Sequence, residues 1–229
     1  MGKSLLEIRT QIRQRLEMEN SGFIKDSEFN SYINASMKEL YDLMISAYGN
    51  DYFASVTPTV ITTVAGQQFY DLPADFYKML GVDLVLGANR IVKLKPFQFN
   101  ERDKYQMDGY WSAVVGNDGP RYKITANKIQ FAPTSSGAYT IHLWYVPLPP
   151  ELVNNTDQAN TLNGWEEYII LDVCIKAKNK LDLDPSAFII QKKEIKERIE
   201  KMKEDRDAGM SFRVSDVNPH TTLAWEPWS

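Results

Sequence analysis

The residues able to do chemistry are few and scattered. His142 and His220 are the only histidines, and Cys174 is the only cysteine. His142 sits in the alternating run Tyr139-Thr140-Ile141-His142-Leu143-Trp144. There it is expected to fill a sheet face, because no residue at metal-ligand spacing accompanies it. His220 lies near the C-terminus, and neither His–Glu nor Cys–Cys spacing supports a zinc site. Cys174 falls in an apolar helical run and reads as a small core hydrophobe. A single thiol makes no intramolecular disulfide and no multi-cysteine metal site. Glu166 and Glu167 are adjacent, so on a helix they point apart and form no acid/base pair. A solvated face, or a complement to the helix dipole, is expected of them. Asp182 and Asp184 mark a helix end. No Gly-x-Gly-x-x-Gly, P-loop or Gly-x-Ser-x-Gly pattern is present. The chemistry points away from an enzyme and requires no cofactor.

Charge narrows the classes further. The net charge is −4, so no global basic field draws the chain to nucleic acid. Residues 51–150 carry nine Lys and Arg against eight Asp and Glu, and Arg90, Lys93 and Lys95 are the nearest approach to a basic patch. Arg102, Asp103 and Lys104 form a mixed cluster. Residues 151–229 carry eleven basic against fifteen acidic residues, so the acidity sits in the C-terminal third. Met1 to Thr10 has no long apolar run, which predicts no signal peptide and folding in a cytoplasm. No apolar stretch approaches the length of a membrane span.

The elements that must position these residues read as helices, then strands, then helices, then a tail. That order predicts an α+β fold. N- and C-terminal helical hairpins form one helical bundle, with a central antiparallel β-rich region and an extended C-terminal tail. The N-terminal hairpin occupies 1–49. Ser4 and Glu7 have capping-box spacing, followed by the stripe Leu5, Ile8, Ile12 and Leu16. Asn20-Ser21-Gly22 ends this helix. A second helix, about Asp26 to Tyr48, carries Phe29, Ile33, Met37, Leu40 and Met44, and Gly49 stops it.

The β-rich region occupies 50–150. Phe53 to Thr63 reads as a strand, and Gln67 to Leu72 resumes it after the turn at Ala65-Gly66. Leu80 to Leu86 and Arg90 to Leu94 flank a hairpin turn, and Asn100 to Met107 suggests a short helix. Arg121 to Thr125 and Lys128 to Phe131 flank Ala126-Asn127, a second hairpin. Tyr139 to Val146 is the final strand, closed by Pro147, Pro149 and Pro150.

The C-terminal hairpin, 151–208, completes the bundle. Its helices run from about Trp165 to Leu181, with Ile169, Val173 and Ala177 on one face, and from about Pro185 to Ala208. The last helix is charged apart from Phe188, Ile195, Ile199 and Met202. Glu194–Arg198 and Glu197–Lys201 stand at supporting i,i+4 spacing. Residues 209–229 lose all helical period. Phe212, Val214, Val217, Leu223, Trp225 and Trp228 are apolar residues without a core of their own. They either fold back onto their own domain or dock on a partner, and aromatic anchors on an extended segment favour docking. The segment is expected to order only on assembly.

A family resemblance runs through the same residues. Tyr70-Asp71-Leu72-Pro73-Ala74-Asp75-Phe76-Tyr77-Lys78 resembles the Leu-Pro-x-Asp-Phe signature of tailed-phage head-to-tail adaptor proteins. In that signature Pro73 ends a strand, Asp75 caps the next turn and Phe76 plugs the core. Gly119-Pro120-Arg121-Tyr122, with Asn127 through Pro133, is similar to the family's hairpin, and Leu143 to Pro147 to its closing strand. Tyr32-Ile33-Asn34-Ala35-Ser36 with Glu39-Leu40 is similar to its second helix. Ala126 stands where such hairpins often carry glycine, and alanine is unfavourable at positive φ, which leaves the turn type open.

The resemblance implies a structural virion protein, assembled in a host cytoplasm. It implies a homo-oligomeric ring, usually of twelve copies, beneath the portal. Such a ring extends the DNA channel, which DNA crosses without specific binding, and gives the tail or nozzle protein a platform. The portal-docking residues would then be Phe212, Val214, Leu223, Trp225 and Trp228. The alternative is a soluble regulatory or nucleic-acid-binding module using the charged last helix, and it lacks a basic face.

Overall fold

The computed structural model describes residues 2–49, 51–88, 90–102, 104–105, 111, 119–159 and 164–202. Among them are four α-helices and eight strands in two four-stranded sheets, an α+β architecture.

Helix α1 spans Leu5–Arg15 and starts on the capping box, with the Ser4 side chain accepting from the Glu7 amide and the Glu7 side chain accepting from the Ser4 amide. It ends earlier than expected, because Glu17 turns to a φ of 54°. Helix α2 spans Asp26–Tyr48, and Gly49, at φ 104°, stops it. After the strands come α3, Glu166–Lys180, and α4, Ser186–Lys201. Residues 203–208, expected to continue α4, lie outside the described residues. One apolar core draws Leu5, Ile8 and Ile12 from α1, Phe29, Ile33 and Leu40 from α2, Ile169 and Val173 from α3, and Ile195 and Ile199 from α4. Helix α3 is buried on nearly every face, not along one stripe.

The first sheet orders β1 (Thr59–Thr62), β8 (Thr140–Pro147), β3 (Phe76–Gly87) and β4 (Arg90–Lys93), all antiparallel. The second orders β2 (Phe69–Asp71), β7 (Lys128–Ala132), β6 (Arg121–Thr125) and β5 (Lys95–Pro96). Its β5–β6 pair is parallel, so the region is antiparallel-rich and not wholly antiparallel. The sheets face each other across Tyr70, Val82, Leu84, Ile129, Phe131, Ile141 and Leu143.

Two strand expectations need correction. Phe53 is not in a strand: its ring stacks on Tyr41 of α2 at 4.3 Å, and pairing begins only at Thr59, beyond Pro58. Likewise β2 does not resume β1. The chain turns at Gly66 and crosses to the other sheet, and the Tyr70 hydroxyl pins that turn by accepting from the Val64 amide at 2.9 Å. The expected helix at 100–107 is a single 3-10 turn, Phe99–Glu101, among the described residues. Ala126 does adopt positive φ, 51°, so the β6–β7 hairpin closes through two residues with the backbone that glycine normally supplies. No helix among the described residues is long and apolar enough to cross a membrane.

Candidate functional site

The Leu72-Pro73-Asp75-Phe76 signature lies where the chain leaves the second sheet for the first. The Leu72 amide donates to the Asn127 carbonyl at 2.9 Å, tying the signature to the hairpin turn. Lys128 pairs with Asp71 beside it at 2.5 Å. Asp75 does not cap its own turn. The Phe76 amide donates to the Pro73 carbonyl, while the Asp75 carboxylate accepts from the Tyr145 hydroxyl at 2.9 Å and the Asp75 carbonyl from the Leu148 amide at 2.6 Å. Phe76 opens β3 opposite Pro147, half-buried, with its ring 5.6 Å from Tyr145. Gly119 and Pro120 lead into β6, where Pro120 is buried and burial pushes the Tyr122 hydroxyl pKa up. Pro133 follows β7, and its carbonyl accepts from the Trp111 indole at 3.1 Å. Signature, hairpin and closing strand thus form one junction between the sheets.

The α2 motif is the other fixed point. Asn34 clamps the segment after β8: its side chain donates to the Leu152 carbonyl at 3.0 Å and accepts from the Leu152 amide at 2.9 Å. Ser36 and Glu39 face a group that sequence reasoning missed. Asp172 on α3 is buried, yet it accepts from Ser36 at 2.5 Å and pairs with Lys176 at 2.5 Å and Lys192 of α4 at 2.7 Å. Lys192 also reaches Glu39 at 2.7 Å, and Glu39 accepts from the Tyr168 hydroxyl at 2.8 Å. Burial pushes the Asp172 carboxyl up, but the hydrogen bonds from Lys176, Lys192 and Ser36 outweigh it and leave the pKa lowered. For Lys192, burial alone would lower the pKa, and Asp172 and Glu39 raise it. Burial, with Glu39, pushes the Tyr168 hydroxyl up to about 12. The arrangement holds charge fixed across α2, α3 and α4.

Asp172→Ala should therefore cost about 3 kcal/mol, the low end for breaking a buried ion pair, since Lys192 keeps Glu39. Because the folded pKa of Asp172 is depressed, its stabilisation is present above the unfolded value near 3.8 and lost as pH falls through the folded pKa. Denaturant melts from pH 7 to pH 3 should show the variant losing less stability to acid than the natural chain. Parallel curves would refute an ionised Asp172.

The other chemically able residues sit in structural settings. Burial pushes the Cys174 thiol up to about 12, which suits a core hydrophobe and not a nucleophile. His142 lies on the outer face of the first sheet, in register with Val60 and Asp83. Glu166 and Glu167 both stand in the first turn of α3, as a complement to the helix dipole would, but Glu166 is buried and not on a solvated face, whereas Glu167 meets Arg15 through both carboxylate oxygens. On α4, Arg198 lies over the Trp165 ring at 5.3 Å, and an i,i+4 ion pair joins Lys196 to Glu200 at 4.0 Å. No cluster of three or more potential metal ligands occurs among the described residues. Phe212, Val214, Leu223, Trp225 and Trp228 lie outside the described residues.

Apolar side chains remain exposed on the outside of the molecule. Val60 and Val64 flank the first sheet's outer edge with Val56, 94% exposed, and Leu183, Ile189 and Ile190 leave a second apolar area at the start of α4. No curated protein matches the chain. Residues 3–217, nearly its whole length and every motif above, match the model of the SU10 adaptor protein family, and the chain belongs to that family of phage head-to-tail structural adaptors.

Proposed function

We propose that the chain forms a ring beneath the portal, extends the DNA channel and gives the tail its attachment platform. The family match over residues 3–217 carries the reading. In it the two helical hairpins act as one bundle directed at the portal, the β region faces the tail or nozzle protein, and Phe212, Val214, Leu223, Trp225 and Trp228 dock on the portal. Two observations support a ring. A closed ring needs two unlike, mutually complementary patches per subunit. The β1 edge and the start of α4 carry exposed apolar side chains at two different places, as a head-to-tail contact requires. The net charge of −4 suits a channel that lets DNA slide, since a basic lumen would hold phosphates through counterion release.

Negative-stain imaging of the purified protein, alone and with portal, tests this. Rings stacked coaxially on portal are the expected result, with no DNA retained at physiological salt. Monomers that ignore portal, or retention of duplex DNA, would overturn it and favour a nucleic-acid-binding module.

A further inference from the structure

An apolar cavity of about 220 Å³ opens where the helical core meets the first sheet. Tyr41, Phe53, Pro147, Leu148, Pro149 and Gln158 line it. Its volume matches one large aromatic side chain. Its polar lining is largely spoken for: the Tyr41 hydroxyl donates to the Pro147 carbonyl at 2.6 Å. Gln158 remains as an exposed side-chain amide at the rim, able to accept one hydrogen bond. An apolar slot with a polar acceptor at its mouth suits an indole, which is apolar in body and carries one N–H donor.

The described chain ends two ring contacts short of this slot. Met202, the residue closing α4, lies against Tyr48, its sulfur 3.9 Å from the hydroxyl. From Tyr48 a row of rings leads inward to the buried Tyr41: Tyr48 to Tyr52 at 5.0 Å, Tyr52 to Phe53 at 4.7 Å, and Phe53 to Tyr41 at 4.3 Å. Residues 203–229 continue from that point, and at roughly 3.3 Å per extended residue the run Trp225-Glu226-Pro227-Trp228 reaches the cavity with slack.

We propose that, in the free subunit, the cavity seats one tryptophan of its own C-terminal segment, Trp225 or Trp228, so that this one anchor is held before assembly and only the rest of the segment orders on assembly. The seat keeps an aromatic end from joining copies before assembly, where an exposed apolar anchor is an association hazard. Docking of the same residues on a portal then exchanges one seat for another. The occupied cavity does not depend on the ring reading, and the test needs neither portal nor virion.

A photo-reactive phenylalanine analogue replaces Phe53 in the full chain, and hydrogen exchange is followed at residues 146–152 in the natural chain and in Trp225→Ala and Trp228→Ala. The expected result is an intramolecular cross-link into residues 223–228 at monomer mass. One of the two alanine variants should lose that cross-link and exchange roughly tenfold faster at 146–152. A cross-link found only at dimer mass, or rising with protein concentration, overturns the proposal in favour of a neighbouring copy. Unchanged exchange in both variants, or cross-links confined to residues before 203, overturns it outright. Because both variants leave every residue of the described cores unchanged, thermal melts of the two variants separate loss of the fold from loss of the seat.

Discussion

Leu40→Asp should unfold the helical part of the chain. Leu40 is fully buried on α2, in the core that α1, α3 and α4 share. Removing its burial forfeits roughly 2–3 kcal/mol. The new carboxylate has no partner there, and an isolated buried charge adds several kcal/mol more, whether it stays ionised or takes up a proton. Since a domain holds only about 5–15 kcal/mol in total, the sum removes most of the margin. Helical circular dichroism should be largely lost at room temperature, or the melting temperature should drop by roughly 15 °C or more. Ala35→Asp, on the exposed side of the same helix, serves as the control and should cost about 0.7 kcal/mol. A Leu40→Asp chain that melts with the natural one would mean that the four helices do not depend on a common core.

That prediction rests on periodicity, the part of the fold most legible in the chain. Leu40 belongs to an i, i+3, i+4 stripe, and every member of it named from the sequence is buried. The Ser4–Glu7 cap and the Ala126-Asn127 hairpin were legible because each is settled by neighbours within three or four residues. What escaped was decided by distant partners. Val60 and Tyr70 sit in one run of strand-forming residues, yet β8 takes the first and β7 the second, and nothing local distinguishes the two. Phe53 has a strand former's side chain but finds Tyr41 before it finds a sheet. The role of Asp172 was legible only in part, for the same reason. An acid amid Ile169-Ile170-Leu171 and Val173-Cys174 signals a buried charge, but its partners Ser36 and Lys192 are 136 and 20 residues away. The signal was there in a helix too apolar on every side to have a solvent face for its aspartate.

Deleting residues 210–229 should leave the fold intact and abolish stable attachment to portal. Among the described residues, the helical and sheet cores are complete without the deleted segment, the last core residue being Ile199. Thermal melts of the truncated and full chains should therefore agree within a few degrees, even where the segment's tryptophan leaves its cavity. Attachment is different. Phe212, Val214, Leu223, Trp225 and Trp228 concentrate apolar surface in a short stretch. Each large aromatic buried on a partner contributes roughly 2–3 kcal/mol, so three of them amount to roughly 6–9 kcal/mol before ordering costs. If half survives those costs, losing the segment weakens each contact by roughly 10²- to 10³-fold. In a ring the loss repeats at every subunit, and the combined grip falls far more steeply than any single contact. Co-sedimentation with portal-bearing heads measures it directly. Full attachment by the truncated chain would remove the docking role from the segment. Truncated chain that fails to fold would show instead that the segment completes the subunit's own core.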